Sequence, residues 1–329
     1  MFSKLNIKWL AIIFTVLLLL VVIVKIRESS KTAHNRNRNF TSQLTDFDSA
    51  RVGSILISPK SNGKQIHLFK DVSGWKVESD GKKYNADLNA VQNMIGQMKE
   101  LTAVSIAAND KDKWKDFQLT DSAATNVKFM DGTKTLMDIY LGKFSYKQPD
   151  NYNPYMRQQG TMTSYVRVSG DNKVYAVNGF LAMSFNRQAN DFRDRKLISG
   201  DKAAWKQLSF KEGDQSFDLI NQDGKWTIGG LPADSAATAK YLNSIQRISS
   251  SDFTDESVLQ SNEPDYSLEI SSGNKEGAVQ INAFKADTAN GYVLSSSLNE
   301  GTYFSGKKSK LMDKIFITKE QLMGAVKAK

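Results

Sequence analysis

Cysteine is absent from the chain, and histidine occurs only twice, at His34 and His67. The first absence removes disulfides, thiolate nucleophiles and cysteine-ligated metals; a chain without thiols tolerates an oxidising compartment without requiring one. The second removes a histidine triad or zinc site, because one histidine falls in a polar linker and the other in an alternating strand. Clustered positive charge is missing as well. The formal charge is +9, yet residues 1–50 hold seven Lys/Arg against three Asp/Glu, and the other 279 positions spread 37 basic against 32 acidic residues. A nucleic-acid footprint needs basic residues gathered on one face with stacking aromatics, so no nucleic-acid partner is expected.

Patterns that imitate catalytic motifs fail on inspection. Gly301 to Lys307 copies most of a phosphate-binding loop, but Lys308 stands where the magnesium-binding hydroxyl belongs, and Thr302-Tyr303-Phe304 reads as a strand. Ser-x-x-Lys at Ser61, Ser79 and Ser305 falls in turns. The carboxylate pairs Asp110/Asp112 and Asp255/Glu256 sit in charged turns without the spacing and glycine of a calcium loop. The sequence therefore offers no catalytic residue, cofactor or metal, and points to a non-enzymatic protein.

What is present begins with an apolar run. Trp9 to Val24 carries one polar residue, Thr15, between Lys4 and Lys8 on one side and Lys25 and Arg27 on the other. The run alone spans ~24 Å as a helix, and Leu5 to Ile26 reaches ~33 Å if the flanking lysines snorkel, enough to cross a bilayer. Lys25-Ile26-Arg27-Glu28-Ser29 offers no small-residue cleavage site, which favours an uncleaved anchor in membrane lipid over a signal peptide. Flanking charge does not decide the orientation, because long domains translocate largely regardless of it. Residues 28–50 read as a solvated linker turning helical near Thr41 to Phe47.

The remainder reads as one pattern written twice. Gly74-Trp75-Lys76-Val77 leads to Ala86-Asp87 and the helical stripe Leu88, Val91, Met94, Ile95, Met98 and Leu101. Lys225-Trp226-Thr227-Ile228 leads to Ala233-Asp234 and a stripe of Tyr241, Leu242, Ile245 and Ile248. Each aspartate suits a helix N-cap, and both tryptophans are expected in the core rather than as sugar platforms. Ser267 to Ile270 is aligned with Val127 to Met130, Val279 to Phe284 with Ile139 to Phe144, and Tyr292-Val293 with Tyr165-Val166. Gly179 to Asn190 looks helical, and Asp191 to Ile198, with alternating charges, reads as a solvated helix end. The fold class is α+β: an N-terminal transmembrane helix (1–27), a linker (28–50) and two tandem repeated modules (51–200 and 201–329), each a mainly antiparallel sheet with a covering helix.

The copies differ in one place. Between equivalent strands the first carries 13 additional residues, in a stretch from Ser145 to Thr163. It holds Tyr146, Tyr152, Tyr155, Met156 and Arg157, residue types that interface hot spots favour, and a loop this long in a compact domain is either functional or disordered. These five residues are the candidate partner-binding site.

Gly74 to Val77, Ala86-Asp87 with its helix, Trp114-Lys115-Asp116-Phe117-Gln118-Leu119, the Asp131-Gly132 hairpin, Tyr165-Val166-Arg167 with Val174 to Val177, and Phe192-Arg193-Asp194-Arg195-Lys196-Leu197 together resemble the bacterial domain of unknown function 4340. The likeness covers most of the chain; Gln118 stands where the family usually has glycine. The resemblance implies a companion of ABC-type exporters or gliding-motility assemblies, single-pass in the bacterial cytoplasmic membrane with residues 28–329 outside the cytoplasm, and carries over no catalytic residue. The reading is an accessory protein for an integral-membrane or envelope partner. The alternative is an envelope ligand-binding protein for a saccharide or peptide, with its site in the cleft between modules.

Overall fold

Short alternating segments separated by Gly, Asn and Asp turns give antiparallel strands, and the two Ala-Asp dipeptides start helices, as the computed structural model shows. It describes residues 42–60, 64–149, 160–273, 277–286, 291–306 and 310–324. The first sheet uses β1 (Ser54–Ser58), β2 (Ile66–Asp71), β3 (Gly74–Ser79) and β4 (Lys82–Asn85), then α1 (Leu88–Lys99), then β5 (Ala103–Ala108), β6 (Thr125–Asp131), β7 (Lys134–Lys147), β8 (Thr161–Val168) and β9 (Val174–Asn178). After α2 (Ala182–Phe185) and β10 (Lys196–Ser199) the second uses β11 (Gln207–Glu212), β12 (Gln215–Gln222), β13 (Lys225–Ile228) and β14 (Leu231–Pro232). It continues with α3 (Ser235–Ile245), β15 (Arg247–Ser249), β16 (Phe253–Thr254), β17 (Tyr266–Ser271), β18 (Val279–Lys285), β19 (Tyr292–Ser296), β20 (Tyr303–Ser305), α4 (Leu311–Ile315) and α5 (Lys319–Leu322). This is an α+β chain with two large, mainly antiparallel sheets.

The strand orders are β4-β3-β2-β1-β6-β7-β8-β9-β5 and β14-β13-β12-β11-β17-β18-β19-β20-β16, the same path traced twice. Trp75 faces Lys70 and Trp226 faces Asn221, one rung in from the same hairpin turn in each sheet. Both tryptophans are half-buried and pack against their cores. Register also corrects the alignment of the later strands. Ile55 faces Phe129 and Leu208 faces Ile270, so Phe129, not Met130, is the counterpart of Ile270. Likewise Ile139 faces Val127 as Ile281 faces Leu268. The reading from sequence slipped these strands by one or two residues, and a slip of one exchanges the two faces of a strand.

One face of each sheet is covered by its helix. Asp87 accepts from the amides of Asn89 and Ala90, and Val91, Met94 and Met98 of α1 lie on Ile55, Leu68, Val77 and Phe129. Asp234 accepts from Ala237 N–H, and Tyr241, Leu242 and Ile245 of α3 lie on Leu208, Leu219, Ile228 and Ile281. Each such buried aliphatic side chain contributes ~1.5–3 kcal/mol relative to exposure. Leu88 is the exception in the stripe: at the first turn of α1 it is exposed.

Two devices close each unit. Its leading segment pairs with the chain just after its helix: Gln43 bridges Thr102, and β10 pairs β15. Its trailing segment caps the helix start, with Asp87 N–H donating to the Phe192 carbonyl at 2.7 Å and Asp234 N–H to the Leu322 carbonyl at 2.8 Å. Residues 42–47 are thus not helical; they run extended, Leu44 and Phe47 packing on the first core. Gly179 to Asn190 likewise holds only the short α2 and the start of a 3-10 turn at Ala189–Phe192.

The stretch after that turn is a joint, not a solvated helix end. Arg193 is buried, its guanidinium carbon 3.5 Å from the Tyr84 ring centre and 3.8 Å from that of Phe253. Tyr84 lies on the edge strand of the first sheet and Phe253 on an edge strand of the second. Beside them Lys82 Nζ meets Asp255 Oδ2 at 2.7 Å. Asn299 donates to the Asp194 carbonyl, and the Ser296 hydroxyl to that of Leu197. Leu197 and Ile198 belong to the second core.

Candidate functional site

β7 outruns its neighbour. It pairs with β6 as far as Leu141 opposite Thr125, then passes a register shift and continues to Lys147 with β8 alone over its last rungs. In the second sheet the matching strand stops at Lys285 opposite Tyr292. The first sheet therefore carries a two-stranded ribbon that the second lacks, and the ribbon is the root of the long loop.

Residues directly opposite in an antiparallel pair share a face. Tyr146 faces Met162 and Phe144 faces Ser164, so all four lie on one side. The Phe144 ring packs on Phe180 with centroids 4.3 Å apart. Met183 N–H donates to the Phe180 carbonyl, so the two residues belong to one turn. Tyr146 is 55% exposed, Met162 46%, Phe180 37% and Met183 68%, large apolar side chains in water on and beside the ribbon root. Gly160 has no side chain to collide with the Tyr146 ring, which a Cβ there would strike.

The opposite face holds the ribbon root in place. Arg167 of β8 is buried, its guanidinium 3.5 Å from the Tyr140 ring centre and 3.9 Å from that of Trp114. Its Nε donates to the Leu119 carbonyl at 2.8 Å and its Nη2 pairs with Asp121. Trp114, in a 3-10 helix over Lys111–Phe117, donates its indole N–H to the Asn172 carbonyl. Higher on the ribbon, Lys143 sits over Phe117 at 4.6 Å.

Of the five residues read from sequence, Tyr146 lies in this patch. Tyr152, Tyr155, Met156 and Arg157 fall outside the described residues. Met162, Phe180 and Met183 were missed, although Met162 lies inside the stretch singled out. Phe180 and Met183 were hidden in a segment read as helix, where a lone exposed Phe carries no signal. Among the described residues no three potential metal ligands gather, and no helix is long and apolar enough to cross a membrane. Trp9 to Val24 lies outside the described residues. Asp255 is engaged with Lys82 and with the amide of Ser257.

A family model described as Domain of unknown function (DUF4340) matches residues 75–270. The chain belongs to this family. The DUF4340 match runs from Trp75 in β3 to Ile270 in β17, so it takes in α1, the ribbon, the Arg193 joint and the first half of the second sheet. No curated protein and no solved structure matches the chain.

Proposed function

We propose that this DUF4340 protein is a non-enzymatic accessory protein, anchored by one membrane span at Trp9 to Val24, which docks an integral-membrane or envelope partner of the ABC-exporter or gliding-motility class. In this reading two tandem copies of one sheet-plus-helix unit stand outside the bacterial cytoplasmic membrane, and only the first has been adapted for docking. The observation that carries it is the exposed patch of Tyr146, Met162, Phe180 and Met183 at the root of the tyrosine-bearing loop. Exposed apolar clusters on a rigid support are what protein interfaces bury, and tyrosine and methionine are enriched there.

The test is a photo-crosslinking amino acid at Phe180, outside the stretch to be shortened, in the full chain in native membranes. The expected product is an adduct with an integral-membrane or envelope protein that disappears when Ser145 to Thr163 is cut to the length of the corresponding turn after β18. The shortened chain should keep its melting temperature, because the ribbon adds nothing to either core. An adduct that persists in the shortened chain would sink the proposal.

A further inference from the structure

The second sheet has its own departure from the first, and it lies in a cleft of about 460 Å³ between the sheet and the C-terminal helices α4 and α5. Its aromatic wall is built from four strands and the end of α4. Phe210 and Phe217 face each other across β11 and β12, their rings stacked at 4.5 Å and 9°. Phe210 is buried, whereas Phe217 is half-buried and lines the cleft. Tyr266 stands edge-on to Tyr292 at 5.4 Å and contacts Phe316 at 5.4 Å.

The four matching positions of the first sheet hold no aromatic, although Phe144 lies opposite one of them. Ile57 faces Ile66 where Phe210 faces Phe217. Thr125 faces Leu141 where Tyr266 faces Ala283, and Ser164 of β8 occupies the rung of Tyr292. The fold therefore does not require aromatics at these four positions, so their presence in the second sheet calls for another cause.

The rim is polar and of mixed sign: Lys211, Glu212 and Gln215 from the β11–β12 hairpin, Asp313 from α4, Lys319 and Glu320 from α5. The Tyr266 hydroxyl already donates to Glu212 Oε1 at 2.7 Å, which fixes the ring's direction. Interleaved charges of both signs favour neither an anion nor a cation. Carboxylates and an amide do, however, accept from and donate to neighbouring hydroxyls, while aromatic rings take apolar C–H faces. The volume lies within the ~300–1,000 Å³ of ordinary small-molecule sites. We propose that this cleft, within the second unit rather than between the two, binds a short neutral oligosaccharide, with its sugar faces on Phe217 and Tyr292 and its hydroxyls on the rim.

The test uses the full chain in a sugar-free detergent, with cellotriose, maltotriose and chitotriose as probes in ligand-observed NMR and trilysine as the charged competitor. At least one saccharide should show saturable binding that trilysine does not displace. Phe217→Ile and Tyr292→Ser replace the aromatics with smaller side chains like those of the first sheet, and each should weaken that binding by about tenfold or more, roughly the loss of one good contact. If either variant melts below the parent, the rim variants Gln215→Ala and Glu320→Ala, which touch no core, should weaken binding in its place. No saturable saccharide signal, undiminished binding in well-folded variants, or displacement by trilysine would each overturn the proposal.

Discussion

Arg193 shows how a charged side chain serves as a structural part. Burial lowers its pKa, and Nε and Nη2 have no hydrogen-bond partner, so the two rings of Tyr84 and Phe253 are its main compensation. A cation between two aromatic faces is worth ~2 kcal/mol or more once desolvated. Arg193→Ala should therefore lower unfolding stability by about 2 kcal/mol in urea titration. Arg193→Lys should not restore it, since a compact ammonium lacks the flat surface that lies against both rings. An unchanged midpoint for the alanine variant would show that the joint does not depend on the sandwich. Its burial could not be read from Phe192 to Leu197, where the charges look like a solvated surface. Tyr84 and Phe253 are remote in sequence, and only the meeting of two edge strands brings them to the guanidinium.

At the scale of elements the legible features were those written locally. Asp87 and Asp234 announce their helices because a carboxylate before an apolar stripe satisfies free amides, and both do so. Asp87→Ala and Asp234→Ala should each cost about 1 kcal/mol, read as a shift in the denaturation midpoint. A loss well below that for Asp234 would mean that the Leu322 carbonyl, which accepts from its backbone amide, holds the helix start unaided. Trp75 and Trp226 fell on matching rungs because the turns beside them are both two residues long. The strand at Val127 to Met130 drifted by a residue because Phe129-Met130 offers apolar residues at adjacent positions, so alternation alone does not fix which one faces inward. The aromatic cleft escaped for a related reason: Phe210, Phe217, Tyr266 and Tyr292 come from four strands, and each alone reads as ordinary core. The ribbon was legible as extra length, but its partners Phe180 and Met183 were not, since contact across β8 and α2 is invisible in a linear pattern.

For the whole molecule, the two sheets meet through few groups, and one of them titrates. The Asp255 carboxyl is held down to about 2, chiefly by its hydrogen bond with Lys82 and then by those with Ser257. The unfolded carboxyl titrates near ~3.9, so this contribution is fully present above about pH 4 and is lost as pH falls toward 2. Spin labels placed one on each sheet should accordingly report a narrow separation at pH 5 that broadens by pH 2. The Lys82→Met chain should already be broader at pH 5. Identical distributions in both chains at both pH values would remove the ion pair from any part in the joint. Because both partners are half exposed, salt should weaken the same contact.

The trailing segment that seals each unit has a consequence for how the polypeptide is made. Phe192, whose carbonyl caps the first helix, is followed at once by Arg193 and by the strand that opens the second unit. A nascent chain emerging amino end first therefore owns every part of its first core before any strand of the second large sheet has been synthesised. Arg193 then waits with one aromatic face covered by Tyr84 until β16, seated only by its pairing with β20, lays Phe253 on the other and joins the two halves.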